Sequence, residues 1–238
     1  MKTSRLSQKI HKWLGLLVGI QLVIWTISGF YMVVIDIDII HGDHLVQPPA
    51  ELSAESVRGF STKLPQLTKT YPQAQALSLE SLAGRAVVKV KTSSGTLLLD
   101  ALNGETIAPI DSSKINQLAN TYYAGTGVIQ NATLIESNPP REIGARPLPI
   151  WRIDFDDIWG TTLYISPTTG ALATRRHNLW RVFDFVWMLH IMDYDEREDI
   201  NNTLLRIVSI LSLLLVLSGI WYLYFRLNVK SWFSKVTS

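Results

Sequence analysis

The chain contains no cysteine. That absence excludes a disulfide framework, a thiol redox function and a cysteine nucleophile, so any domain held outside a reducing compartment relies on core packing alone. Several catalytic signatures are also missing: no Gly-x-Ser-x-Gly, no His-Glu-x-x-His and no Walker loop occurs. The isolated Gly125-Thr126-Gly127 follows a predicted helix rather than a strand, which marks a turn and not a nucleotide loop. Most telling is where charge is missing. Trp13 to Ile35 and Leu204 to Phe225 carry no Lys, Asp or Glu, and Arg206 is their one charged residue. At 1.5 Å rise per residue, about 20 apolar residues span roughly 30 Å of hydrocarbon, and both blocks are that long. They account for a hydrophobic content of 47% and a mean hydropathy of +0.16, both high for a soluble chain.

Charge is sorted around these blocks. Lys2, Arg5, Lys9 and Lys12 precede the first, and Arg226, Lys230 and Lys235 follow the second. Asp36, Asp38 and Asp43 leave the first, while Asp193, Asp195, Glu196, Glu198 and Asp199 approach the second. Short cationic flanks stay in the cytoplasm, so both termini are expected inside and residues 38 to 200 outside. This distribution explains the net charge of +2 without a nucleic-acid partner. A cleaved signal peptide is the competing reading of the first block, but its apolar core is too long and no small-x-small site precedes Asp36. The Asn-x-Thr sequons at Asn131 and Asn201 read as chance matches.

The middle of the chain contains a repeat. Leu97-Leu98-Leu99-Asp100-Ala101-Leu102-Asn103-Gly104-Glu105-Thr106-Ile107 aligns with Leu163-Tyr164-Ile165-Ser166-Pro167-Thr168-Thr169-Gly170-Ala171-Leu172-Ala173 at a constant offset of 66 residues. Each copy is a β-rich run, a turn with a Gly suited to positive φ, and a second apolar run. Upstream of the first copy, Val57, Phe60 and Leu64 predict an amphipathic helix behind a Ser53 N-cap and ended by Pro65. Ile115, Leu118, Ala119 and Tyr122 predict its counterpart behind Asp111 to Ser113. Strands are expected at 75–81, 86–92 and 96–100, and again at 129–135, 150–155 and 161–166, giving two helix-plus-antiparallel-meander units. Between the strands of the second unit, Glu136 to Pro149 holds four prolines with Arg141 and Arg146, and reads as a rigid, solvated, non-helical insertion.

The expected organisation is therefore a cytoplasmic segment 1–12, a transmembrane helix 13–37, repeat units 50–110 and 111–177, a segment 178–192, a transmembrane helix 204–225 and a cytoplasmic segment 226–238. In sum it is an α+β membrane protein with two spans around an extracytoplasmic domain. Segment 178–192 places Leu179, Val182, Phe183, Val186 and His190 on one helical face with Trp180 and Trp187 nearby; too short to cross a bilayer, it suits the headgroup layer. Gly15 and Gly19 are spaced for close helix packing, and Ser28-Gly29 in the first span is echoed by Ser218-Gly219 in the second. Span-on-span packing, a homodimer and lipid-facing glycine all remain open for these residues. Gln21 predicts a partner within a helix bundle.

Taken together, His11-Lys-Trp-Leu-Gly-Leu-Leu-Val-Gly, Trp25-Thr-Ile-Ser-Gly-Phe-Tyr-Met, Trp187-Met-Leu-His190 and the paired strand-turn-Gly units resemble the PepSY-associated transmembrane proteins of bacteria. The resemblance implies a location in the bacterial inner membrane and PepSY-type modules that regulate peptidases or bind envelope partners. Larger members with about four spans are ferric or siderophore-iron reductases that use haem, whereas this chain has two spans.

Histidines carry the remaining chemistry. His41, His44 and Asp38, just beyond the first span, can meet His190 and Asp193, just before the second, to hold a divalent metal or haem iron; the alternative is a set of interfacial polar residues and caps. By resemblance, His11 and His190 are candidate haem ligands. Topology puts them at opposite membrane faces, about 30 Å apart, so they are not expected to share one haem within a protomer. Two functions follow from the sequence: a membrane-tethered binding protein acting on another membrane or envelope protein, or a haem- or metal-bearing electron-transfer subunit of an iron-reducing system.

Overall fold

The structure, a computed structural model, describes residues 2–48, 50–107 and 110–226; Lys230 and Lys235 of the basic C-terminal flank lie outside them. Two units are present. One comprises the chain up to Asp36 together with everything from Val182 on, and the other is Ile37–Arg181.

In the first unit, helix α1 (Lys2–Val34) pairs with helix α6 (Thr203–Arg226). Both have the length and hydropathy to cross a bilayer, over Arg5–Val34 and Thr203–Tyr224. Their exposed faces are apolar, with Leu16, Ile20, Phe30, Ile210, Leu213 and Ile220 all outward, as lipid requires. Their shared seam instead buries small or hydroxylated residues, Ser28, Ser212 and Ser218 among them. Of the four glycines expected to pack helices, Gly15 and Gly219 do so: an added Cβ would lie 3.7 Å from Leu215 and 3.0 Å from the His11 ring. Gly19 and Gly29 have nothing within 4 Å, so their close-packing role is not met inside the unit. Gln21 finds its partner, donating to the Leu189 carbonyl at 3.0 Å.

The second unit opens with a short helix, α2 (Ile37–His41), and a 3-10 turn over Asp43–Leu45. Helix α3 (Ala54–Thr70), capped by Ser53, lies on a three-stranded antiparallel sheet, β1 (Ala76–Leu82), β2 (Arg85–Thr92) and β3 (Gly95–Asp100). Helix α3 runs through Pro65 instead of stopping there. Packing outweighs the lost hydrogen bond: Phe60, Leu67 and Tyr71 pack on a core of Val88, Val90, Leu99 and Ala101, two of them beyond the proline. Val57 and Leu64, assigned to the buried face from spacing alone, point outward.

Helix α4 (Ser112–Tyr122), capped by Asp111, covers one face of a four-stranded antiparallel sheet in the order β4 (Val128–Ile135), β5 (Ile150–Asp156), β6 (Thr162–Ile165), β7 (Leu172–Arg176). Ile115 and Ala119, with Leu118 and Tyr122 around them, meet Trp151, Ile153, Phe155, Leu163 and Ile165 there. The repeat is realised bond for bond. Asp100 N–H donates to Glu105 O and Gly104 N–H to Asp100 O, and 66 positions on, Ser166 N–H donates to Ala171 O and Gly170 N–H to Ser166 O. Gly104 and Gly170 take φ of 78° and 64°, the left-handed conformation the turn demands. Among the described residues, the first copy continues with a bridge from Leu99 to Thr106 and the second with strand β7.

The insertion at 136–149 is exposed along most of its length, as a solvated connection would be, but it is also anchored. It contains a 3-10 turn, Arg141–Ile143, and folds against the sheet face opposite α4, burying Ile143 completely beside Ile150 and Tyr164. Helix α5 (Asn178–Ile191) follows β7 and carries the chain from the second unit into the first.

Candidate functional site

Two features of the helical unit place histidine chemistry. At one end of the seam, His11 Nδ1 is 3.0 Å from Ser218 Oγ and 3.3 Å from the Leu215 carbonyl, with the Tyr222 ring stacked alongside. At the other, His190 Nδ1 is 2.6 Å from Ser28 Oγ, beside the Trp25 and Trp187 rings. Each serine in turn donates to the carbonyl three residues back, Ser218 to Leu215 O and Ser28 to Trp25 O. The Leu215 carbonyl can only accept, so His11 Nδ1 carries the proton there and leaves the Nε2 lone pair as the potential ligand atom; at His190 the contact with Ser28 admits either direction. The two Ser-Gly pairs legible in the sequence thus each receive one histidine. Trp25 Nε1 also donates to the His190 carbonyl at 2.7 Å, tying the end of α5 to α1.

His11 and Ser28 are 17 positions apart on one helix, about 25 Å along its axis. The two imidazoles therefore serve opposite ends of the seam. His11 and His190 therefore do not face one another across a single haem within the helical unit.

In the second unit, a cleft of about 580 Å³ is lined by His44, Tyr123, Thr126, Asp156, Asp157 and Trp159, with Gly125 and Gly127 in its wall. This size falls in the range of small-ligand and peptide-anchor sites. Asp157 builds the wall. It accepts from Tyr123 Oη at 2.6 Å and from the Thr161 amide and hydroxyl at 2.9 and 2.6 Å. Burial disfavours its charge, but those bonds outweigh burial and hold the carboxyl below its ordinary value. Burial, reinforced by Asp157, pushes the Tyr123 hydroxyl up to about 12, so it remains a donor at neutral pH. Tyr123 Oη also accepts from the Gly127 amide, and its ring stacks on Phe155 at 3.9 Å. Asp156, at the exposed end of β5, contributes a second carboxylate to the rim.

Behind the cleft lies a residue that sequence reasoning passed over. His177 is fully buried; Nε2 is 2.9 Å from the Ile40 carbonyl, so it carries the proton, while Nδ1 has no partner. Its ring packs edge-on against His44 and Trp159. Burial lowers its pKa, against the opposing effect of the Ile40 bond. Gly42, at φ 74°, faces this ring so closely that a Cβ would come within 3.0 Å of it. The motif Arg175-Arg176-His177-Asn178 gave no hint of burial, since it reads as a charged flank.

The PepSY-associated TM region family matches residues 8–238. The chain belongs to that family. No curated protein and no solved structure matches it.

In this PepSY-associated protein the candidate metal residues divide between the two units. Among the described residues, no three of His, Asp and Glu gather where they could hold a metal ion. Asp193 instead accepts from the backbone amides of Asp195, Glu196, Glu198 and Asp199 and so shapes the loop ahead of α6. His44 faces Trp159 and His177, and the His41 carbonyl accepts from Arg175, whose guanidinium also pairs with Asp43. Asp38 belongs with these residues to the second unit, whereas His190 and Asp193 belong to the first.

Proposed function

We propose that this PepSY-associated protein is a bacterial inner-membrane-anchored binding module, with both termini cytoplasmic and the domain 37–181 outside. In this reading the domain engages an envelope partner through the cleft at Asp156 and Asp157 and modulates that partner. The observation that carries it is the cleft itself: a concave surface with two carboxylates at its rim, aromatic side chains in its wall, and a hydrogen-bonded frame that pre-forms it. Preformed sites bind without the entropic cost of ordering. A photo-crosslinker replacing exposed Thr126, in cells producing the full chain, is expected to give one discrete adduct that disappears when Asp156→Lys is added. An adduct indifferent to Asp156→Lys, or no adduct, would remove the cleft from the binding surface.

A second reading, an electron-transfer subunit with haem, is favoured by one observation, a histidine held through Nδ1 at each end of the seam. Haem would supply one-electron transfer, and His11 or His190 would give one axial ligand each, the second ligand coming from another protomer. Purified protein would then show a dimer-dependent Soret band, weakened in His11→Ala or His190→Ala and lost when both are replaced. A colourless preparation after growth with added haemin would dismiss this reading.

A further inference from the structure

The side chain that is most exposed among the large apolar residues described does not belong to a membrane-spanning helix. It is Ile158, 91% exposed, at the tip of the β5–β6 hairpin; the next, Val33 on α1, is 85%. A frayed loop would explain such exposure, but this tip is held. Gly160 N–H donates to Asp157 O, the Thr161 amide to Asp157 Oδ1, and the Asn178 amide to Trp159 O. Arg181 adds a bond to the Gly160 carbonyl. The turn therefore presents Ile158 outward in a fixed conformation, with Trp159 beside it and 37% exposed.

The neighbours of the tip within the same unit identify what it faces. Trp159 lies against His44 and His177, and His177 is bonded to the Ile40 carbonyl, so the tip sits against α2 and the turn after it. Residue 37 follows α1 after two residues, and Asp36, a carboxylate excluded from hydrocarbon, marks where the apolar span ends. Connectivity alone thus keeps α2, about 7 Å long at 1.5 Å per residue, within reach of the headgroup layer that adds several ångströms beyond the hydrocarbon. On α2 itself, Ile37 and Ile39 are 48% and 43% exposed. Four apolar side chains, Ile37, Ile39, Ile158 and Trp159, therefore lie on the segments that adjoin the end of a span. An apolar body with an indole N–H is the composition that settles at a lipid interface.

We propose that the Ile158–Trp159 tip is a lipid contact: it enters the headgroup layer of the outer leaflet and fixes the edge of the domain to the bilayer. The occupant is lipid and not a protein, because the patch adjoins a segment that the span holds at the membrane whatever else binds. The proposal requires the chain to be in a bilayer, and because Ile158 and Trp159 also line one side of the cleft, it is tested on the reconstituted chain alone, with no partner present.

Since the chain has no native cysteine, an Ile158→Cys variant carries a single thiol. The full-length variant, labelled with an environment-sensitive nitrobenzoxadiazole probe, is reconstituted in phosphatidylcholine vesicles containing lipids spin-labelled near the headgroup. Leu102→Cys, at a side chain 73% exposed in the turn after β3, serves as the comparison. Quenching at position 158 is expected to exceed that at 102 by about threefold or more, as for a shallow interfacial site. Equal quenching at the two positions overturns the proposal. So does a blue-shifted, unquenched probe at 158 whose emission depends on protein concentration, because a second copy would then be covering the tip.

Discussion

Glu142→Ala is expected to destabilise the four-stranded sheet by about 2–3 kcal/mol, the range for deleting one partner of a mostly buried charged pair. Glu142 comes from the insertion and is 14% exposed; it accepts from Arg181 Nε at 2.8 Å and from Tyr164 Oη at 2.6 Å. Arg181 also donates to Thr162 Oγ1, which donates to Asp154, and Asp154 accepts from Arg152 at 3.0 Å. Removing the carboxylate leaves a fully buried tyrosine hydroxyl without its acceptor and a guanidinium without its counter-charge. Because Arg181 is 32% exposed, water recovers part of the loss, which is why the figure stays below that for a fully buried pair. Hydrogen exchange at the β5, β6 and β7 amides of the full chain reads the effect. Unchanged protection would mean that the insertion contributes nothing to the sheet.

The same carboxylate gives the domain a predictable response to acid. Burial opposes its charge, yet the bonds from Arg181 and Tyr164 outweigh burial and lower its folded pKa below the ordinary 4.5. An unfolded chain then binds a proton at a higher pH than the folded one, so the stabilisation is complete above about 4.5 and is lost as pH falls through the lowered folded value. Glu142→Gln, which keeps the acceptor oxygen but cannot ionise, should lack this part of the acid loss. His177 works in the same direction at higher pH. Its folded pKa is also depressed, so its share is complete above the ordinary 6.5 and is lost as pH falls through the depressed folded value, where a buried Nδ1 would need an acceptor it does not have.

What the sequence reveals here follows from which interactions are periodic. The spans are legible because lipid demands unbroken apolar runs, and the repeat is legible because a turn that needs positive φ at Gly104 and Gly170 fixes the residues around it. Helix α4 could be read directly, as its buried positions Ile115 and Ala119 keep helical spacing. Helix α3 misled because a proline is a strong local signal, whereas Leu67 and Tyr71, which carry the helix past it, act only through contact with a sheet formed later in the chain. Ile143 had no periodic neighbours to announce its burial. For the sites, the twin Ser-Gly pairs were visible, but their partners are distant: His11 lies 207 positions from Ser218, and Ser28 lies 162 from His190. No local pattern encodes such pairings. His177 escaped notice for the same reason, its burial being conferred by α2 and the hairpin tip.

The second large effect expected is an all-or-none difference in chemical accessibility. If Lys9 and Lys12 hold the start of α1 in the cytoplasm, the acidic flanks and the domain between the spans are exported, and a thiol on the domain is open to reagents that cannot cross a bilayer. Lys91 is exposed on β2, Lys9 is exposed on α1, and no native cysteine competes. The decisive measurement is therefore labelling of Lys91→Cys and Lys9→Cys in spheroplasts with a membrane-impermeant maleimide. Full labelling at 91, with labelling at 9 only after the membrane is opened, is the expected result. Protection at 91 with free access at 9, or recovery of either variant in the soluble fraction, would contradict a domain anchored outside the cell by two spans.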